Sequence, residues 1–255
     1  MNPEPLIGIT THASRIRFIE PCLNSLLQQS VRPSRIVLSI PDRYLRFGDA
    51  PELPEFVRVL EASGRLEVVR IPDCGPATKI AGPWSVAGDD ELICWCDDDR
   101  IYHPQLVERL MSSRSDGMAV GAGGIRYTNT PITHHTTKGF NVDLLQGYAG
   151  VLCRKRDMPS PLKVWSKYVD TDPQKMDRFE WSFFLSDDYV FSEALKEFGT
   201  VLFGLFSSEM NFGISSNPLP ISDVLPVQYS NRTGGIHSAY RLLRREGVQA
   251  GRILT

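Results

Sequence analysis

No stretch of the sequence approaches the ~20 consecutive apolar residues that cross a bilayer as a helix; the most apolar runs, Leu92 to Cys96 and Thr200 to Phe206, are far shorter. No membrane span is therefore expected. The opening Met-Asn-Pro-Glu-Pro-Leu lacks a basic segment leading into an apolar one, which predicts a cytoplasmic protein without a signal peptide. Cysteine is sparse as well: five residues (Cys22, Cys74, Cys94, Cys96 and Cys153), odd in number, dispersed and without a C-x-x-C pair. That pattern argues against a disulfide framework or a structural zinc site and fits reduced thiols, with Cys94 and Cys96 as buried packing residues. An excess of charge is missing too, since 28 Lys and Arg face 30 Asp and Glu. A chain so balanced sets up no global basic field to recruit nucleic acid or an anionic membrane, so function has to come from a local site. Internal repeats, low-complexity tracts, a Walker A loop and a G-x-G-x-x-G after the first strand are absent, which removes the usual dehydrogenase and P-loop readings.

What remains is an ordinary globular composition, 42% hydrophobic and 23% charged over 255 residues, with no linker that would divide it. The chain is read as one domain over 1–255. Apolar, β-branched runs at Leu6 to Thr10, Arg35 to Ile40, Leu66 to Ile71 and Glu91 to Cys96 read as strands. They alternate with helical patterns between Ile16 and Leu27, Leu53 and Leu60, and Gly75 and Val86. This order predicts βαβ units, hence an α/β fold with a mainly parallel central sheet and helices on both faces. Residues 1–100 then form a nucleotide-binding half. Residues 101–210 form a second half with a helix around Leu106 to Met111, strands at Met118 to Tyr127, Gly147 to Arg154 and Val201 to Phe206, an aromatic segment at Phe179 to Leu185 and a helix from Asp187 to Phe198. Residues 211–255, with Pro218, Pro220 and Pro226, are irregular and can equally cover an acceptor cleft or touch a partner or a membrane surface.

The sharpest chemical signal is Cys96-Asp97-Asp98-Asp99-Arg100 at the end of a strand that is apolar on both faces. Three adjacent carboxylates repel one another unless a cation compensates, and hard oxygen donors suit Mg²⁺ or Mn²⁺ bridging to a diphosphate. Alternation along an extended chain would put Asp97 and Asp99 on one side and Asp98 on the other. Carboxylates that merely cap the next helix are the plain alternative, but a triplet at the carboxyl end of a central strand lies where open α/β sheets bind ligands. A second pair, Ser186-Asp187-Asp188, opens the later helix. Capping accounts for one carboxylate there, and the other is available to take a proton from an attacking hydroxyl.

Six segments in order, Gly8-Ile-Thr10-Thr11, Ile40-Pro41-Asp42, Asp73-Cys-Gly75-Pro76-Ala77-Thr78-Lys79, Cys96 to Asp99, Gly147-Tyr148-Ala149-Gly150 and Asp187-Asp188, resemble the GT-A nucleotide-sugar glycosyltransferases related to family 2, over most of residues 5 to 206. The resemblance implies a GT-A fold and a metal-dependent transfer of sugar from a nucleoside diphosphate donor, with UDP favoured, to an acceptor hydroxyl with inversion. It implies that Thr10, Thr11 and Asp42 hold the nucleoside, that the segment Asp73 to Lys79 contributes Lys79 near phosphates or base, and that Asp97 and Asp98 lie toward the donor. Asp99, with Asp97 and a C-terminal His237, would ligate Mn²⁺ or Mg²⁺. Asp188, paired with Asp187, would be the catalytic base, and Tyr148 and Gly150 would face the acceptor. Two departures leave the nucleotide open: Thr10-Thr11-His12 replaces Pro-x-Tyr-Asn, and Arg43-Tyr44 follows Asp42 where Gly-Ser is commoner.

Other readings stay in view. A sugar-nucleotide pyrophosphorylase would need a Gly-rich, Arg-containing first loop, and a haloacid-dehalogenase-like phosphohydrolase would need Thr after its Asp pair; neither is present. A carbohydrate- or nucleotide-binding protein that keeps the fold without turnover is the non-enzymatic alternative.

Overall fold

Apolar residues on both sides of a strand demand cover on both faces, and β1 (Leu6–Thr10) shows how that demand is met. Leu6 packs into one core with Val37, Ile93, Trp95 and Val151, whereas Ile7 and Ile9 pack into a second with Ile36, Leu38, Cys94 and Leu152. The structure is a computed structural model that describes residues 4–126, 139–169 and 171–205.

Among these residues the order is β1, α1 (Glu20–Leu27), β2 (Arg35–Ile40), α2 (Glu55–Ala62), β3 (Leu66–Arg70), α3 (Thr78–Val86), β4 (Leu92–Trp95), α4 (Leu106–Ser112) and β5 (Met118–Gly121). There follow β6 (Phe140–Asn141), β7 (Val151–Arg154), α5 (Arg178–Leu185), α6 (Asp187–Glu197) and β8 (Val201–Gly204), with short turns, bridges and a one-turn helix between them. The eight strands form one sheet in the order β3-β2-β1-β4-β7-β5-β8-β6. β3, β2, β1 and β4 run parallel, as do β5 and β8, while β7 is antiparallel to both neighbours and β6 to β8. The expected mainly parallel α/β sheet is therefore what forms. Helices α1, α2 and α4 cover one face through Leu23, Leu26, Val57, Val107 and Leu110. Helices α3, α5 and α6 cover the other through Ile80, Ala81, Trp181, Phe184, Val190 and Phe191.

The strand expected from Gly147 begins only at Val151, because Gly147–Ala149 make a tight 3₁₀ turn and Gly150 takes φ +93. A small hairpin pairing Arg43–Tyr44 with Gly48–Asp49 follows β2. No helix among the described residues is long and apolar enough to cross a membrane.

The strand order places the site. β1 leads through α1 to β2 on one side, while its other neighbour, β4, arrives from β3. The carboxyl ends of β1 and β4 therefore flank a topological switch point, the place where open α/β sheets leave a ligand crevice. Thr10 ends the first of these strands with Thr11 just beyond it, and Asp97 to Asp99 follow the second.

Candidate functional site

Two local features bring α3 close enough to matter. Gly8 has no side chain, and a Cβ there would collide with the Lys79 carbonyl oxygen and the Pro83 ring, so the helix lies directly on β1. Pro83 offers no N–H to that carbonyl, four residues earlier, which leaves it free to face the strand. At the other end of the segment, Gly75 takes φ +62, and a Cβ would stand 2.7 Å from the Phe184 carbonyl oxygen. The turn before α3 is thus pressed against the end of α5, and Lys79 arrives between β4 and the start of α6.

Lys79 is the hinge of the cluster. Its Nζ lies 2.5 Å from Asp97 Oδ1 and 2.7 Å from Asp187 Oδ2, and the side chain is only 4% exposed. Burial alone would pull its pKa down, but the charges of Asp187, Asp97 and Asp188 hold it well above the ordinary lysine value. The ammonium is permanently charged and tied at both ends. Asp188 turns the other way: its Oδ1 accepts from the Gly147 N–H at 2.8 Å. Burial, reinforced by the charge of Asp187, pushes Asp188 up to about 8, against the opposing effect of Lys79. Neither carboxylate spends itself on capping, and Ser186 makes no side-chain cap bond to the helix. Asp188 is therefore held from across the site, by the Gly147 turn, and not by the cap of its own helix.

The acidic triplet divides between two partners. Asp97 faces Lys79, whereas Asp98 accepts from Arg15 Nη1 at 2.7 Å and Asp99 Oδ2 lies 3.8 Å from Arg15 Nη2. Strict alternation would have grouped Asp97 with Asp99; the turn at Asp98 and Asp99 redirects the latter. Burial pushes Asp98 up to about 6, although Arg15 opposes it, and raises Asp99, helped by the charge of Asp97. Asp99 Oδ1 is buried without a hydrogen-bond partner among the described residues, with Arg100 Nε 3.6 Å away. Arg100 also lies over the Tyr148 ring, 4.8 Å from its centroid, which ties the expected acceptor-side residue to the triplet. The Tyr102 hydroxyl accepts from the Asp97 N–H at 2.8 Å and stands 3.1 Å from the carbonyl oxygens of Asp97 and Tyr148, to either of which it can donate. Gly150 closes that turn against Leu106.

The remaining expected residues sit around a neighbouring cleft or support it. Asp42, its side chain 84% exposed, and Asp73 both line a cleft of about 1010 Å³ that also takes in Tyr44, Arg46, Arg70 and Tyr168. Asp73 is committed to backbone: its oxygens accept from the Leu45 N–H at 2.7 Å and the Gly75 N–H at 2.8 Å, which fixes the hairpin after β2 to the turn before α3. Thr10 Oγ1 donates to the Ser39 carbonyl at 2.8 Å, and the Thr11 carbonyl accepts from the Tyr44 hydroxyl at 2.5 Å. Asp73 and the Thr10 hydroxyl thus position the loops rather than reach for a ligand. His237 lies outside the described residues.

Arg15, Arg46, Tyr44, Tyr102 and His12 join the site without having been expected. His12 stacks on Phe47 with ring centroids 4.1 Å apart; burial, with Arg15 and Arg46 nearby, lowers its pKa to about 3, so the imidazole stays neutral. The repulsion within the triplet was a sequence signal for nearby cations, but one-dimensional spacing does not say that Arg15, more than eighty residues away, is one of them.

No protein-family model matches the sequence, and no curated protein matches it. Among solved structures the chain is similar to residues 1–349 of TarS from S. aureus in complex with UDP, at 14% identity and a TM-score of 0.49 over 80% of this chain and 58% of that one. It is also similar to GalNAc-T7 with UDP, GalNAc and Mn²⁺, at 12% identity and a TM-score of 0.49 over 80% of this chain and 42% of that one. A 4-diphosphocytidyl-2C-methyl-D-erythritol synthase is similar at 12% identity and a TM-score of 0.45, over 84% of this chain and 93% of the other. The chain spans less than two thirds of the length of the first two.

Proposed function

We propose that this chain is a single-domain, cytoplasmic glycosyltransferase that moves a sugar from a nucleoside diphosphate donor, UDP-sugars being the first to test, to an acceptor hydroxyl with inversion. One observation carries the reading: Lys79 ties the carboxylates at the end of β4 to the carboxylate pair that opens α6. In this reading the carboxylates that face the diphosphate and the pair that supplies the proton acceptor meet at one buried cation.

In this reading Thr10, Thr11 and Asp42 frame the nucleoside, and Asp97 to Asp99 face the diphosphate. Asp188 takes the proton of the acceptor hydroxyl as that oxygen bonds to the anomeric carbon and the bond from that carbon to the diphosphate breaks. The single displacement inverts the anomeric centre. The Gly147 N–H fixes one oxygen of Asp188 and leaves the other for the acceptor. Asp187 holds Lys79, and Lys79 keeps two carboxylates from repelling each other. Tyr148, held beside Arg100, faces the acceptor.

Mn²⁺ or Mg²⁺ fits the donor set. Asp99 Oδ1 is a buried carboxylate oxygen without a hydrogen bond, and the side chains of Asp97 and Asp99 keep 30% and 26% of their surface. No group of three His, Cys, Asp or Glu able to hold a metal occurs among the described residues, so phosphate oxygens and water would complete the shell, the usual arrangement for Mg²⁺. Such an ion would stabilise the charge that develops on the departing diphosphate.

The test is Asp188→Asn, which keeps an oxygen for the Gly147 N–H. Nucleotide binding should be retained while transfer falls by about 10²–10⁴-fold. Equal loss of both, or retention at the anomeric carbon, would remove Asp188 from this role.

A further inference from the structure

A diphosphate brings two or more negative charges, and most cations near the switch point are already matched. Lys79 is clamped by Asp97 and Asp187, Arg15 by Asp98, and Arg70 lies 3.8 Å from Asp42. Arg46 differs. It occupies the turn of the hairpin after β2, lines the cleft shared by Asp42 and Asp73, and forms no ion pair within 4 Å among the described residues. Its Nε is buried without a hydrogen-bond partner among the described residues, and its guanidinium packs 4.7 Å from the centroid of the Phe47 ring.

The surroundings hold this side chain in place without neutralising it. The hairpin is anchored on both sides, by the Tyr44 hydroxyl to the Thr11 carbonyl and by the Leu45 N–H to Asp73. Phe47, next in sequence, stacks on His12, which stays uncharged. Burial works against the charge of Arg46; Asp73 and Asp187 offset part of this, and Arg15 adds to it. A partly buried cation with no carboxylate within 4 Å among the described residues is costly to maintain unless a ligand completes it. A guanidinium presents its N–H groups in a planar fork that matches two phosphate oxygens.

We propose that Arg46 is a diphosphate-binding residue, its guanidinium fork taking phosphate oxygens at the edge of the cleft between Asp73 and the Lys79 cluster. This rests on the nucleotide-sugar reading and adds to it a protein cation, supplied by the hairpin after β2, that acts beside any divalent ion.

Calorimetric titration of the full chain with inorganic pyrophosphate, in EDTA, tests it, followed by UDP, GDP, ADP, CDP and dTDP with Mn²⁺. Arg46→Met should weaken pyrophosphate binding at least tenfold, and Arg46→Lys by only a few fold. Arg58→Met, which removes the same charge from an exposed ion pair on α2, should change it less than twofold. Unchanged binding by Arg46→Met, or an equal loss in Arg58→Met, would overturn the assignment. Should Arg46→Met fail to fold, a crystal of the parent protein soaked in pyrophosphate decides: phosphate oxygens within hydrogen-bond distance of the Arg46 guanidinium support the proposal, and phosphate elsewhere ends it. The arms separate the two readings. Arg46-dependent pyrophosphate binding with no nucleotide bound would keep the anion site and end the nucleotide reading. Nucleotide binding undiminished in Arg46→Met would do the reverse, and a parent protein that binds neither would end both.

Discussion

Replacing Lys79 by methionine removes the one cation that Asp97 and Asp187 share while nearly keeping the volume. Both contacts are short, 2.5 and 2.7 Å, and the lysine side chain is 4% exposed, so water cannot take over its role without opening α3. Breaking a buried pair by deleting one partner costs about 3–5 kcal/mol, because the other charge is left uncompensated. For a chain of this size that is a fall in midpoint of roughly 6–20 °C. The cost should depend on pH. Folding stability from Lys79 is fully present below the unfolded lysine pKa and is lost only above its raised folded value, so between pH 5 and 9 the parent keeps it. In the variant the stranded carboxylates can accept protons, so the penalty should be larger at pH 8 than at pH 5.5. Asp187→Asn in the Lys79→Met background should recover part of the loss, a coupling of about 1–3 kcal/mol between neighbours. Denaturant unfolding of the four proteins of this cycle at both pH values measures all three quantities. A loss below about 1 kcal/mol, independent of pH and without coupling to Asp187, would refute the idea that Lys79 is the charge hinge of the site.

Further expectations follow from the same geometry. Gly147→Ala would place a Cβ 3.0 Å from both Asp188 Oδ1 and Lys79 Nζ, so it should displace the proposed base and lower turnover more than nucleotide binding, read as kcat against donor Kd. Gly8→Ala should cost at least the ~1–3 kcal/mol of ordinary overpacking, because its Cβ meets backbone; urea unfolding reads the loss. The Asp188 pKa near 8 predicts a rate that climbs with pH through about 8, since the base acts without its proton, and Asp188→Asn should flatten the profile. His12, held neutral with a pKa of about 3, binds its proton only on unfolding across about pH 3 to 6.5, so its contribution to stability should fall with acid in that window. Going from pH 7 to 5 this amounts to about 2 kcal/mol. Asp98, pushed up to about 6, and Asp188, pushed up to about 8, oppose it across the same range, so parent and His12→Gln should be compared at each pH by unfolding. A variant as acid-sensitive as the parent would contradict the account.

Much of this architecture was legible because its signals are local. The double-sided apolar strands and their alternation with helical patterns predicted the sheet, and Leu92 to Trp95 lies at its centre with the acidic triplet at its carboxyl end. The Asp187-Asp188 pair opens a helix where expected. The cations were less legible. Repulsion in the triplet announced that a positive charge was needed, and the sequence reading placed a metal ion there; the structure shows Lys79 and Arg15 against it, brought in by α3 packing on Gly8 and by the loop after β1. Asp73 and Thr10 lie beside the switch point, but their side chains satisfy buried backbone groups, a requirement that spacing along the chain does not display. The hairpin carrying Arg46 was hidden because its paired segments have only two residues each, too few for a periodic pattern, and its turn depends on Gly48 at φ +81.

The central claim, that the carboxyl edge of β1 and β4 binds a nucleoside diphosphate through Asp99, is tested most directly by thermal unfolding. The parent protein and Asp99→Ala would be unfolded with UDP, GDP, ADP, CDP and dTDP, with and without Mn²⁺. A ligand at about 100 times its Kd adds about 2.7 kcal/mol, a rise of several degrees for a chain of this size. The account predicts a Mn²⁺-dependent rise with one nucleotide that disappears in Asp99→Ala; no rise with any of the five, or one that Asp99→Ala leaves intact, would contradict it.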